Sequence, residues 1–271
     1  MLSFAIWTLL AGAVAGSLGA LLGIGGGMLL VPLLHSFLGL SISEAAAVSL
    51  VGVLAVSASV SAAPKARELF NARLAVLMLI FSVSGATFGA KVLDLLSEAT
   101  YERIFGATAV AVALILVARL NHHDGDLGET ADIGLLGGRF YDDYSGAEIS
   151  YAVRRLPVAG AVSFVAGVLA SFLGIGGGVL LVPTLNAWCG VPMRVAAATS
   201  AFMIGVTAVP GVITHYAAGN LNGFELAAAA SLGAMAGYRV GLRLSSRAPV
   251  RGLKMLMAGV LTAVALVYMV G

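Results

Sequence analysis

The chain has 271 residues, of which 60% are hydrophobic and 10% charged, with a mean hydropathy of +1.02. A soluble domain carries about 45–50% apolar and about 25% charged residues, so a soluble globule, a disordered chain, a collagen-like chain and a disulfide-rich scaffold are all excluded. The net charge of +2, with no long basic patch, argues against a nucleic-acid partner, and a polytopic membrane protein remains.

In chain order, the first segment, 2–22, is apolar throughout. A helix needs about 20 residues to cross a hydrocarbon core ~30 Å thick. Nothing from Met1 to Trp7 is Lys or Arg, so a cleaved signal peptide is not expected. Ala13-Val14-Ala15 has the form of a cleavage site, but a cut there would damage one copy of the repeat described below. Gly23-Ile24-Gly25-Gly26-Gly27 interrupts the apolar run, and a shorter piece, 28–40, follows with Pro32 inside it. Segments 44–62, 73–90 and 103–119 complete this group.

Residues 120–155 form a polar stretch holding seven of the thirteen acids: Asp124, Asp126, Glu129, Asp132, Asp142, Asp143 and Glu148. It reads as a solvated linker. His122-His123-Asp124 falls in it, and adjacent histidines in a loop are not expected to bind metal; no metal or other cofactor is anticipated. The second group offers 156–173, a shorter piece 179–190, then 194–217, 224–241 and 250–270. Cys189 is the single cysteine, so no internal disulfide can form, and it is expected to be a small buried residue. Backbone groups in lipid must be satisfied internally, which makes these segments helices. They lack the alternation of a membrane β-barrel.

The two groups are copies. Leu22-Gly23-Ile24-Gly25-Gly26-Gly27-Met28-Leu29-Leu30-Val31-Pro32 recurs 151 residues later as Leu173-Gly174-Ile175-Gly176-Gly177-Gly178-Val179-Leu180-Leu181-Val182-Pro183. The same offset aligns Ala45–Ser49 with Ala196–Ser200 and Asn71 with Asn222. At an offset of 148, Gly85–Lys91 matches Gly233–Arg239. The expected organisation is a first membrane repeat over 1–119, a linker over 120–155 and a second membrane repeat over 156–271.

Short cytoplasmic loops collect Lys and Arg. One such loop holds Lys65, Arg67 and Arg73; another holds Arg239, Arg243, Arg247, Arg251 and Lys254. Their counterparts are weaker: 217–223 has neither residue type, and 91–103 sets Lys91 and Arg103 beside Asp94, Glu98 and Glu102. Both basic loops can face the cytoplasm only if 156–190 crosses an even number of times, as two short spans or a hairpin. Each repeat then has five segments and the two insert with opposite orientation. The expected fold is an all-α polytopic membrane protein of two inverted-topology repeats, each with its first segment broken by a glycine-rich loop. The linker is expected in the cytoplasm, flanked by Arg119, Arg154 and Arg155, with both termini external.

Discontinuous helices at corresponding places of two repeats point to a transport site near the bilayer midplane. Each glycine in a helix interior costs about 0.8–1 kcal/mol relative to alanine. Pro32 and Pro183 are expected to add to the helix break, because proline lacks the amide donor. A helix that starts after the glycines presents unpaired N–H groups and partial positive charge, which suits an oxyanion. A Lys or Arg at the bilayer centre would instead cost at least ~2.5–3.5 kcal/mol. The expected anion site is therefore Gly25, Gly26 and Gly27 with Gly176, Gly177 and Gly178, helped by the hydroxyls of Ser49, Thr199 and Ser200. The bland alternatives are tight helix crossing for the glycines and bonds to their own helix for the hydroxyls. His35 and His215 are candidates for a coupling step, with a proton or sodium ion as the coupling partner, although structural roles are the simpler reading. Glu225, at a helix start, suits the dipole as a plain cap.

At these residues the chain resembles the sulfite exporter family of the TauE/SafE type. The resemblance rests on Gly23–Pro32 and Gly174–Pro183 and on the segments ending at Ser49 and Ser200, and it covers nearly the whole chain apart from 120–155. It implies transport of small sulfur-containing anions, such as sulfite, sulfoacetate or other sulfonates, across a bacterial inner membrane, with export the expected direction. Matching motif positions are Gly25, Gly26, Gly27, Pro32, Gly176, Gly177, Gly178 and Pro183. A homodimer is one assembly the sequence permits, and lipid is the other expected neighbour. An anion channel would need the same lining as a carrier. A membrane serine protease is the rival enzyme reading, since Ser82–Gly89 resembles the nucleophile segment of rhomboid proteases. Ser82 stands where that family has glycine, however, no histidine partner motif follows, and the other repeat has no serine in place of Ser84. Small residues four apart explain both copies as helix-packing faces. A nucleotide-driven pump is not expected, since no Gly-Lys-Ser/Thr loop is present. The chain is not expected to be an enzyme.

Overall fold

The computed structural model describes residues 2–22, 26–93, 97–118, 134–142, 147–174, 176–221 and 224–245, with Gly259 and Thr262. Through them run α1 (Leu2–Leu22), α2 (Gly27–Leu38), α3 (Ile42–Ser61), α4 (Pro64–Leu69), α5 (Ala72–Leu93) and α6 (Glu98–Ala118). Then come β1 (Gly138–Asp142), β2 (Ala147–Tyr151), α7 (Leu156–Leu173), α8 (Gly178–Ala187), α9 (Met193–Ala217) and α10 (Phe224–Ser245). The apolar segments expected from the sequence coincide with these helices to within a few residues. The segment 250–270, apart from Gly259 and Thr262, lies outside the described residues, as do His122, His123 and Asp124.

Local chemistry sets the helix ends. Ser41 opens α3 with a capping box: its hydroxyl accepts from Glu44 N–H, and the Glu44 carboxylate accepts from Ser41 N–H at 3.0 Å. Asn71 opens α5 by accepting from Leu74 N–H at 3.0 Å. Gly39 closes α2 in the left-handed region, φ 67°, with its N–H on His35 O.

Four helices, α3, α5, α7 and α9, are long and apolar enough to cross a membrane. The helices α1, α6 and α10, of 21, 21 and 22 residues, are of similar length. By contrast α2 and α8, of 12 and 10 residues, reach only about 18 and 15 Å at 1.5 Å per residue. The stretch 156–190 is thus two helices separated at the glycines rather than one straight span.

The packing is crossed between the halves. α1 lies against α10, α7 lies against α5, and α3 and α9 meet at the centre. Glycines permit the two outer crossings. On α1, Gly12 and Gly16 press on the Ala230 and Ala234 backbone; on α5, Gly85 and Gly89 press on Phe164 and Val168. A Cβ on Gly89 would sit 2.7 Å from Val168 O, so no side chain fits there. This is the packing role expected for the small residues of Ser82–Gly89. Ser84 itself is exposed, and its hydroxyl donates to Ile80 O at 2.7 Å.

Trp7, Val76, Ile80, Phe88, Ile213 and Leu232 are each more than half exposed. Water would penalise such an outer surface, whereas lipid accepts it. Cys189 is fully buried, as expected.

The linker departs from the sequence reading. Rather than being solvated throughout, it contains an antiparallel hairpin, with Gly138 opposite Tyr151 and Phe140 opposite Ile149. Phe140 and Tyr151 are buried in a cluster with Leu74, Leu185 and Val195. A two-stranded ribbon is marginal alone, and this docking stabilises it.

Candidate functional site

Glycine in the left-handed region precedes both α2 and α8. Gly26 (φ 75°) precedes α2; Gly174, Gly176 and Gly177 (φ 68°, 81° and 64°) lie between α7 and α8. Side chains are disfavoured at these angles, which explains glycine at positions 26, 174, 176 and 177. Gly25 lies outside the described residues. Pro32 and Pro183 sit inside α2 and α8. The break therefore belongs to the glycines alone, and the helices run on through the prolines. Each proline falls past the first turn, where its missing N–H forgoes one helical bond without ending so short a helix.

The two turns converge on the α3–α9 crossing. A Cβ on Gly27 would lie 2.6 Å from Val53 Cγ2 and would also collide with Gly174 O. One on Gly176 would lie 2.9 Å from both Ile204 Cγ2 and Val53 Cγ1. Gly178 faces Ile204, with Ser200 Oγ 3.6 Å from its Cβ position. The amide of Gly178 turns back onto Gly176 O at 2.8 Å, so the loop itself occupies one of the amides expected to face an anion.

The repeated serines have different surroundings. The buried Ser49 hydroxyl lies 2.8 Å from Gly174 O and 3.1 Å from Gly27 O, and its one proton is shared between the two carbonyls. Ser49 thus ties one broken segment to the other. Ser200 is only 1% exposed, yet among the described residues its hydroxyl has no hydrogen-bond partner. It lines a cavity of about 140 Å³ between α3, α9 and α10 that Ser57, Val53, Ile204 and Tyr238 also line. Among the described residues of the lining, none is Asp, Glu, Lys, Arg or His. The cavity is polar at a few points and has room for a small ion with a few waters.

The structure does not bring Thr199 to the glycines. Thr199 is one step, about 100°, around α9 from Ser200. Its hydroxyl accepts from Asn71 N–H at 3.2 Å. Asn71 in turn donates to Leu136 O at 2.8 Å and to the Tyr151 hydroxyl at 2.9 Å. This corner joins α5, α9 and the hairpin. Burial pushes the Tyr151 hydroxyl above its ordinary value, opposed by the bond from Asn71.

The histidines lie away from the crossing. His35 Nδ1 is 2.7 Å from Leu40 O at the C-terminus of α2, about 12 Å along the helix from Gly27. His215 is buried near the end of α9, with Nδ1 3.3 Å from Asn220 Nδ2, about 22 Å along the helix from Ser200. Both sit in helix-closing turns. Glu225 lies in the first turn of α10, as expected.

Sequence reasoning missed Val53, Ile204, Ser57 and Tyr238. Val53 and Ile204 occupy matching positions of the repeat, and Ser49, Val53 and Ser57 recur every four residues on one face of α3. That register was the available signal; the chemistry of Val and Ile gave none.

The chain is 28% identical over 267 residues to "Probable membrane transporter protein YunE" of Bacillus subtilis (strain 168), covering 96% of this chain and 95% of the relative. It is 25% identical over 223 residues to "Probable membrane transporter protein MJ0441" of Methanocaldococcus jannaschii, covering 80% and 73%. No solved structure matches the chain. The profile of the sulfite exporter TauE/SafE family matches residues 8–268. The chain is a multi-pass membrane transporter and belongs to the sulfite exporter TauE/SafE family.

Proposed function

We propose that this transporter is a secondary carrier that exports small sulfur-containing anions, sulfite or organosulfonates, across a bacterial inner membrane. The observation that carries this reading is the meeting of two glycine turns behind a small cavity with no charged residue among its described lining, where the buried Ser200 has a hydroxyl without a partner among the described residues. An oxyanion there meets the Ser200 hydroxyl, with no carboxylate among the described lining residues to repel it, and the glycine turns pack behind Val53 and Ile204 of the lining.

In this reading the two halves are inverted repeats that alternate access by moving against each other. The Lys65–Arg73 corner, the hairpin linker and the Arg239–Lys254 region face the cytoplasm, with the termini outside. The crossed packing of α1 on α10 and α7 on α5 supports the repeat relation. The cavity lies on the side of α3 that leads to the basic corner, which fits an inward-facing state. A proton or sodium ion drives the cycle.

Thermal-shift measurement of purified protein against sulfite, sulfate, thiosulfate, sulfoacetate and taurine tests the substrate class. A specific ligand raises the melting temperature by mass action. No shift with any of the five overturns the assignment. Saturable counterflow in proteoliposomes marks a carrier rather than a channel.

A further inference from the structure

A second cavity, of about 240 Å³, opens at the C-terminal end of α3. Ser61, Ala66, Arg67, Phe70, Ala198 and Phe202 line it. It shares Ala198 with the central cavity, and Ser61 is one helical turn beyond Ser57 on α3. The two cavities are therefore consecutive along the α3–α9 cleft. The Ser61 hydroxyl oxygen is buried and has no hydrogen-bond partner among the described residues. Arg67 is the charged residue among the described residues of the lining, while its neighbour Glu68 lines a different pocket, with Arg73 and Arg139. Phe70 and Phe202, with ring centroids 4.9 Å apart, form an apolar wall.

We infer that this mouth is a separate anion-binding station, in which the Arg67 guanidinium and the Ser61 hydroxyl hold a small oxyanion or sulfonate on its way to or from Ser200. The inference rests on the carrier reading above and adds a place and a selectivity to it. A cation, an orphan hydroxyl and no carboxylate among the described lining residues favour negative charge, and the low-dielectric aromatic wall strengthens the field of Arg67. A guanidinium at the mouth avoids the desolvation it would meet at the bilayer centre and still concentrates anions at the cleft.

The test is charge-selective thiol labelling. Cys189→Ser removes the single native thiol. Ser61→Cys is placed in that background, and separately Ala198→Cys, which reads the same cavity from α9 if the first variant folds poorly. Ser36→Cys, on the exposed face near the end of α2, is the reference. Each is reacted in detergent with the anionic 2-sulfonatoethyl and the cationic 2-(trimethylammonium)ethyl methanethiosulfonate. Relative to the reference, both cavity thiols should prefer the anionic reagent by about tenfold at low salt. The preference should shrink as salt screens it and vanish in Arg67→Gln. Equal rates with the two reagents, no reaction at either cavity thiol, or a preference that survives Arg67→Gln would overturn the station. The labelling needs no transported substrate. A preference without any thermal shift leaves the station standing and removes the sulfur-anion reading; a thermal shift without the preference removes the station alone.

Discussion

Ser49 and Ser200 occupy the same position in two copies of one motif, and the structure predicts opposite consequences when each is replaced by alanine. Ser49→Ala removes the donor shared by two buried carbonyls, Gly27 O and Gly174 O. Leaving a buried acceptor without its donor costs about 1–3 kcal/mol. At about 2–4 °C per kcal/mol for a chain of this size, the melting temperature should fall by about 2–12 °C. Ser200→Ala removes a buried hydroxyl that has no partner among the described residues. No bond is lost and an unsatisfied group is relieved, so the melting temperature should hold or rise slightly. Ligand affinity should reverse the order. Losing the Ser200 donor to a bound anion weakens binding by about 1–2 kcal/mol, or roughly five- to thirtyfold in Kd. Ser49→Ala should change Kd less, because its proton is already engaged by the backbone. The assay is differential scanning fluorimetry of both variants in one detergent, with and without the anion that shifts the wild type. Equal destabilisation by the two variants, or a larger loss for Ser200→Ala without ligand, would refute the reasoning.

Gly178→Leu places a branched side chain against Ile204 and Ser200 and should abolish anion binding while the protein still inserts; wild-type affinity in the purified variant rejects the site. Ser84→Ala should leave transport within about twofold of wild type, because its exposed hydroxyl bonds only its own helix; loss of transport would reopen a catalytic or gating role for that serine. Tyr151→Phe removes an acceptor for Asn71 and should loosen the hairpin, read as faster proteolysis within 134–151. Burial raises the Tyr151 hydroxyl above 10.0, so its contribution to docking is complete below pH 10 and is lost as the pH rises through the folded value. Protection of the hairpin should fall in that alkaline window in the wild type, and a Phe variant that keeps the full pH dependence would contradict this.

Much of this fold was legible because membrane helices announce themselves by length and composition. Segments 2–22 and 156–173 are also the bounds of α1 and α7. The repeated glycine motif marked where the helices break, because side chains are disfavoured at φ 64–81° in such a turn. Three features were beyond reach for separate reasons. The hairpin strands, Gly138–Asp142 and Ala147–Tyr151, are only five residues each, and their order comes from contacts with α5, α8 and α9 that sequence does not display. Thr199 and Ser200 are adjacent, and only the rotation of α9 decides that one meets Asn71 and the other the cavity. The helix-closing roles of His35 and His215 depend on the turn geometry at Gly39 and Gly219, where a residue list shows only two titratable rings.

The unequal serines bear on how a carrier built of repeats could move. Identical sequence in two copies cannot by itself prefer one copy over the other, yet here one hydroxyl is tied and its twin is open. A single conformation must break the equivalence in some such way, and the cheapest alternative is the state in which the roles are exchanged. In that state Ser200 would tie its own glycine turn through Gly178 O while Ser49 faced a cavity on the opposite side. The hydrogen bonds lost at Ser49 would be regained at Ser200, so the two states would differ by little and a bound anion or coupling ion could shift their populations. The flanking sequences are similar without being identical: Val53 is matched by Ile204 and Leu50 by Ala201. In such a carrier those differences would set the resting bias. Exchanging them pairwise, Val53→Ile with Ile204→Val, should move the balance toward the other state without changing the apolar volume at the crossing. Labelling of Ala198→Cys from the cytoplasmic side should then slow, and unchanged labelling would mean that the bias lies elsewhere.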